Sequence, residues 1–129
     1  MSESINQLLK SVSQFIHNIN EREKWFFFAE GELYLKKTKR KLLINNKISK
    51  EVVLEISHLS IHSHKKGIAS DLCKRLHNLN NRYAFTVADR VISEKMQHWC
   101  VKYGWTLIPF THKDDIKIYD YMLPTTVKL

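Results

Sequence analysis

Between Glu51 and Val87 the hydrophobic pattern changes period twice, and that switch limits the folds open to this chain. "EVVLEISHLSI" (51–61) reads as a long strand. After the basic stretch "HSHKKG" the pattern becomes helical, with Ile68, Leu72, Leu76 and Leu79 recurring at steps of four, four and three. "NLNNR" stops that helix, and "YAFTV" (83–87) has the run of a short buried strand. A strand, a helix and a strand in succession need a sheet for the helix to pack on.

The flanking segments supply the rest of such a sheet. Ser4 and Gln7 form a candidate capping box, and Ile5, Leu8, Leu9, Val12, Ile16 and Ile19 follow at helical spacing. "WFFFAEGELYL" reads as two strands joined at Glu30-Gly31. "RKLLIN" and "EVVLEISHLSI" flank the turn-like "NNKIS" as a second hairpin. The short connections predict antiparallel pairing there. Trp25, Phe26, Phe27 and Phe28 are expected in the core rather than on a stacking platform. Ile92, Met96, Trp99 and Tyr103 predict another helix, with Gly104 at its C-terminal cap. "WTLIPF" and "IKIYDYML" close the chain as two strands around "THKDD". The expected order is helix, four strands, helix, strand, helix, two strands. That is an α+β fold with a mixed, largely antiparallel sheet and covering helices. With 129 residues and no proline before Pro109, residues 1–129 are expected to form one domain.

Composition narrows the setting. Hydrophobic content of 43% and charged content of 26% suit a globular protein, and no apolar run approaches the ~18 residues of a membrane span. The first ten residues lack the basic-then-apolar order of a signal peptide. Cys73 and Cys100 do not make a disulfide framework, so a cytoplasmic protein with reduced thiols is expected. The net charge is +8, and its bias is local: from Leu33 to Lys50 there is no acid, whereas Lys36, Lys37, Lys39, Arg40, Lys41, Lys47 and Lys50 are basic. Such a run suits a polyanion, whether a nucleic acid, a phosphorylated cofactor or an acidic protein. It equally suits a solvated strand-and-turn surface.

One of only three glycines, Gly67, falls where the long strand gives way to the helix. The first turn of a helix holds backbone N–H groups with no internal partner, and the macrodipole adds to their pull on anions. A glycine lets a ligand approach that backbone, and Ala69 keeps the next exposed turn small. His64, Lys65 and Lys66 add positive charge, so the natural guest is a phosphate or pyrophosphate. The stretch is neither a P-loop nor a GxGxxG fingerprint, and a plain helix start with solvated lysines would read the same way.

"HKKGIASDL", the strand before it, and "SEKMQHWCVKYGW" together resemble the GNAT-type N-acetyltransferase superfamily over about residues 51 to 110. His64 stands in the Arg/Gln place of the family's pyrophosphate loop, with Gly67 and Ala69 as its small residues. The resemblance implies acetyl-CoA as co-substrate and direct transfer of the acetyl group to a primary amine. Leu59, Ser60 and Ile61 would line the pantetheine and thioester. Lys65, Lys66, Gly67, Ile68, Ala69 and Ser70 would hold the pyrophosphate. The chain departs from the family pattern at Ser93, where Asn is common. It departs again at Cys100, where the family often places the Tyr that protonates the leaving thiolate. Tyr103, one turn on, is the alternative acid.

Transfer to an amine also needs a base and an oxyanion donor. Glu55 and His58 are the base candidates on the long strand, and their odd separation sets them on opposite faces unless a bulge intervenes. Glu55 is preferred because the resemblance implies acceptor-side carboxylates on this strand. The donor would be a backbone N–H near Leu59 to Ile61. Cys100 also reads as a buried structural thiol beside the Met96–Trp99–Tyr103 stripe. His58, His62 and His64 define no third metal ligand, so no metal is expected. The rival to the enzyme is a non-catalytic module of the same fold, binding nucleic acid or an acidic protein through Lys36, Lys37, Lys39, Arg40 and Lys41.

Overall fold

The computed structural model describes residues 3–62, 67–91, 93–108 and 119–129. His64, Lys65, Lys66, Ile92, Pro109, Phe110 and the "THKDD" loop lie outside the described residues. Helix α1 spans Glu3–His17, followed by strands β1 (Glu23–Phe28), β2 (Gly31–Ile44) and β3 (Lys47–Ile61). Then come α2 (Ile68–Leu79), β4 (Phe85–Val91), α3 (Glu94–Lys102), β5 (Thr106–Leu107) and β6 (Tyr119–Pro124). The fold is α+β: six strands form one sheet in the order β1-β2-β3-β4-β6-β5. Every neighbouring pair is antiparallel except β3 and β4, which run parallel with α2 as their crossover.

Three strands, not four, separate the first two helices. "GELYL" and "RKLLIN" belong to one strand of 14 residues, because no Gly, Pro, Asn or Asp interrupts the chain between Gly31 and Asn45. The break comes at Asn45 and Asn46, both with positive φ (51° and 64°). Ile44 pairs with Lys47 around them, in the manner of a two-residue type I′ turn. The proposed capping box is also absent. Helix α1 already includes Glu3, and the Ser4 hydroxyl instead accepts the Ala29 N–H at 3.0 Å, tying the helix to the β1–β2 turn.

All three helices cover one face of the sheet. Ile5, Leu8, Val12, Phe15 and Ile16 of α1 pack with Leu72, Cys73 and Leu76 of α2 over Leu33, Leu35, Leu54 and Ile56. Cys100 and Trp105 extend that layer over Ala88, Tyr121 and Leu123, and Trp99 touches both clusters. Helix α3 ends in a Schellman motif. Gly104 takes φ 85°, its N–H donates to Val101 O at 3.2 Å, and the Trp105 N–H donates to Cys100 O at 2.9 Å. Beneath α2, the buried His77 lies 2.9 Å from Thr86 Oγ1 through Nδ1 and 2.6 Å from Val127 O through Nε2. The carbonyl can only accept, so Nε2 carries a proton, and burial lowers the pKa of the ring, which favours its neutral form.

The other face has its own cluster of Leu42, Val53, Phe85, Val87, Ile108 and Met122. The "WFFF" segment divides between the two faces. Phe26 enters the helix-side core and Phe28 packs against it, whereas Trp25 and Phe27 are 45% and 73% exposed. Strand alternation forces that division, so only half of the aromatic run can be core. Trp25 stacks between Phe27 and Tyr34, at centroid distances of 6.0 and 4.6 Å.

Candidate functional site

The parallel pairing of β3 and β4 lasts for three rungs, Leu54 to Thr86, Glu55 to Val87 and Ile56 to Ala88. Both strands continue beyond the last rung without pairing, so they diverge. Each carries an irregularity at that point. On β3, Ser57 is the extra residue between Ile56, opposite Leu35, and His58, opposite Tyr34. On β4, the register with β6 breaks between Ala88 and Val91, and Arg90 adopts φ 51°. The two bulges open a wedge in the middle of the sheet.

A cleft of about 520 Å³ fills the wedge. Its β3 wall is Ile56, Ser57, His58, Leu59 and Ser60, and its β4 wall is Ala88, Asp89, Arg90 and Val91. Ala69 and Cys73 of α2, with Ser93 and Met96, close one side. A second cavity of about 380 Å³ shares Ala69, Ser93 and Met96 and runs to Gly67, Ser70, Lys95, His98, Trp99 and Lys102. The first turn of α2 thus faces three basic or part-basic side chains of α3.

Gly67 is the N-cap of α2 at φ 85°, ψ −1°. Its backbone lies in the left-handed region, which explains a glycine there, and an added Cβ would meet no heavy atom within 4 Å. Among the described residues, the space at the Gly67 Cβ position is open. The Ser70 hydroxyl reaches back to Gly67 O at 3.2 Å, and Ser93 caps α3 by accepting the Met96 N–H at 3.4 Å.

Of the residues expected at a cofactor site, Leu59, Ser60, Gly67, Ala69, Ser70 and Ser93 line these two cavities. Ile61 and Ile68 pack against the helix-side core. Glu55 and His58 share a face, because the Ser57 bulge restores the parity that an odd separation removes: Glu55 pairs with Lys36 and His58 with Tyr34. His58 reaches Glu32 at 3.1 Å on the exposed rim.

Glu55 itself is buried and engaged. It accepts from Arg40 and from the Ser57 hydroxyl at 2.7 Å, and it does not line the cleft. Arg40 joins three carboxylates: Glu55, Asp120 at 2.5 Å and Asp89 at 3.7 Å. Asp120 also accepts the Arg90 N–H at 2.7 Å, which holds the left-handed turn at the β4 bulge. One guanidinium cannot neutralise three carboxylates. Burial first, then hydrogen bonding and repulsion from Asp120 and repulsion from Glu55, push Asp89 up to about 6 against the pull of Arg40. Asp89 is the member of this group that lines the cleft.

Cys100 is buried in the α3 core and lines neither cavity, and burial pushes its thiol up to about 12. Tyr103 caps α3 with its ring exposed beside Trp99. His62 is an exposed residue whose N–H donates to Glu30 O. Among the described residues no group of three His, Cys, Asp or Glu is set to hold a metal.

The basic run divides as well. Arg40 is spent on the buried carboxylates, so it leaves the surface patch. Lys37 donates to Asn18 O at 2.6 Å and lies over the Phe15 ring, and burial lowers its pKa. Sequence reasoning missed Asp89, Asp120, Lys95, His98 and Lys102. The available signal for the first two was a lone acid inside each apolar run, "FTVADRV" and "YDYMLP". No protein-family model matches the chain, and no curated protein matches it.

Proposed function

We propose that the chain is a GNAT-type acyltransferase that moves an acetyl group from acetyl-CoA directly to a primary amine. The observation that supports this most is the wedge between the parallel strands, which ends at the open, glycine-started N-terminus of α2. Beyond Ile56 the β3 edge has no β4 partner, so its backbone around Leu59 and Ser60 is free to pair with an amide-bearing arm. The pyrophosphate would lie at the first turn of α2, by Gly67, Ala69 and Ser70, where Lys95, His98 and Lys102 contribute positive charge. His64, Lys65 and Lys66 belong to the same proposal by resemblance.

The geometry favours Asp89 over Glu55 as the base. A carboxylate raised to about 6 is still mostly ionised at neutral pH, yet more basic than an ordinary one. It takes the ammonium proton, the amine nitrogen bonds to the acyl carbon, and the carbon–sulfur bond breaks. Glu55 and Asp120 act through Arg40, fixing the bulge that carries Asp89. A Cys100 thiol held near 12 in the core is a poor proton donor to the thiolate, and Tyr103 stands on an exposed turn, so the thiolate takes its proton from water in the open cleft.

The test is amine-dependent release of the free thiol of coenzyme A from acetyl-CoA, with a panel of polyamines, aminoglycosides and lysine peptides. Release is expected with at least one acceptor. Asp89→Asn should cut kcat/KM by ~100-fold or more, and wild-type kcat/KM should fall as pH drops through about 6. Acceptor-independent thiol release, or full activity in Asp89→Asn, contradicts the assignment of the base. A second reading, a binding module for a polyanion, is favoured by a separate observation on the β2–β3 hairpin.

A further inference from the structure

Strands β2 and β3 outrun their neighbours. Strand β1 pairs with β2 only up to Lys36, and β4 pairs with β3 only at Leu54 to Ile56. Among the described residues, the two strands from Thr38 to Val53 pair solely with each other, a two-stranded arm ~25 Å long at ~3.4 Å per residue. One face of the arm carries Leu42 and Val53 into the cluster with Phe85, Val87 and Met122. The register sets Lys39 opposite Val52, Lys41 opposite Lys50 and Leu43 opposite Ile48 on the other face, and all six are exposed. Lys47 stands at the tip.

Two features of this outer face call for a partner. Among the described residues no carboxylate pairs with Lys39, Lys41, Lys47 or Lys50, and the one acid of the arm, Glu51, lies on the inner face opposite Arg40. Lys41 and Lys50 are directly across from each other, a like-charge arrangement that costs stability unless an anion bridges it.

We infer that the outer face of the β2–β3 arm docks on double-stranded nucleic acid through Lys39, Lys41 and Lys50. A two-stranded ribbon has the width that a major groove admits. Lys39 and Lys41 are two residues apart on β2 and Lys50 stands across from Lys41, so the three charges lie together on that face, as a run of phosphates requires. The apolar side chains alternate with lysines instead of forming a separate stripe, and the face has no aromatic anchor, so a lipid surface fits it less well. The contact is to the backbone and carries no sequence preference. This inference does not depend on what the cleft binds.

Fluorescence anisotropy with a labelled DNA duplex of about 20 base pairs tests it. Three phosphate contacts predict a slope of about −2.7 in log K against log salt, or about a 40-fold loss of affinity between 50 and 200 mM. Lys39→Ala with Lys41→Ala should flatten the slope by about 1.8, whereas Lys10→Ala with Lys74→Ala should leave it unchanged. Lys50→Glu separates docking from folding: it replaces a like pair with an opposite one, so Tm should rise by about 1–3 °C while duplex affinity falls. Duplex binding that survives these arm substitutions overturns the inference. So does binding to phosphatidylserine vesicles or polyglutamate without binding to the duplex.

Discussion

Arg40 sits in the sequence between Lys39 and Lys41 and in the structure among Glu55, Asp89 and Asp120. Strand alternation accounts for the difference: Arg40 points to the inner face of the arm, and its two neighbours point outward. Replacing it by Met would leave the buried Glu55 and Asp120 and the half-buried Asp89 without their cation. A loss of about 3–5 kcal/mol is expected in urea denaturation at neutral pH. The sign of the pH dependence follows from Asp89. Its folded pKa of about 6 lies above the ordinary aspartate value of 3.8, so the stability it contributes is present below 3.8 and is lost as pH rises through about 6. Arg40→Met should therefore be more destabilising at pH 8 than at pH 5, and equal destabilisation at both would contradict the cluster. At this scale the sequence was a poor guide to the partners of the strand acid. Glu55 is visible as an acid on the long strand, but its ion pair spans 15 positions to Arg40, and Arg40 reaches 80 positions on to Asp120. A contact that distant leaves no trace in local spacing.

Periodicity did better with elements than with their limits. The stripes of α1 and α2 bury Ile5, Leu8, Val12, Ile16, Leu72 and Leu76 as their spacing selects, but Ile19 lies exposed beyond α1 and Tyr103 of the α3 stripe is exposed as well. The Asn45-Asn46 turn falls where breakers cluster, and the first turn lies at Ala29-Glu30, one residue before the expected break, with Phe28 paired to Gly31. The continuity of β2 was hidden because a run of lysines carries no hydrophobic alternation. The Ser57 bulge was hidden because an extra residue changes parity without changing composition. Gly31 illustrates how an element limit touches the site. A Cβ there would lie 2.0 Å from Ser60 O, a backbone atom that cannot step aside cheaply. Gly31→Ala should lower stability by about 2 kcal/mol and also disturb Ser60 in the cleft wall, visible as weaker binding of acetyl-CoA. Unchanged stability would mean that the β2–β3 register yields more readily than the contact implies.

The molecule as a whole is a sheet whose one parallel junction, β3 against β4, is paired over three rungs and then splays apart. Helix α2 bridges that seam on one face, and the buried pairing of His77 with Thr86 and Val127 fixes α2 to β4 and to the C-terminal residues. Opening the seam beyond Ile56 therefore leaves the fold intact while exposing strand edge, helix start and a half-buried acid to one cleft. In the described residues no helix is long and apolar enough to cross a membrane. Titration calorimetry with acetyl-CoA tests the central claim most directly. One site per chain is predicted, with affinity reduced at least tenfold by Ala69→Tyr, which fills the junction of the two cavities, and unaltered by Lys39→Ala with Lys41→Ala. The absence of binding heat across several temperatures, or binding that Ala69→Tyr leaves untouched, would contradict the account.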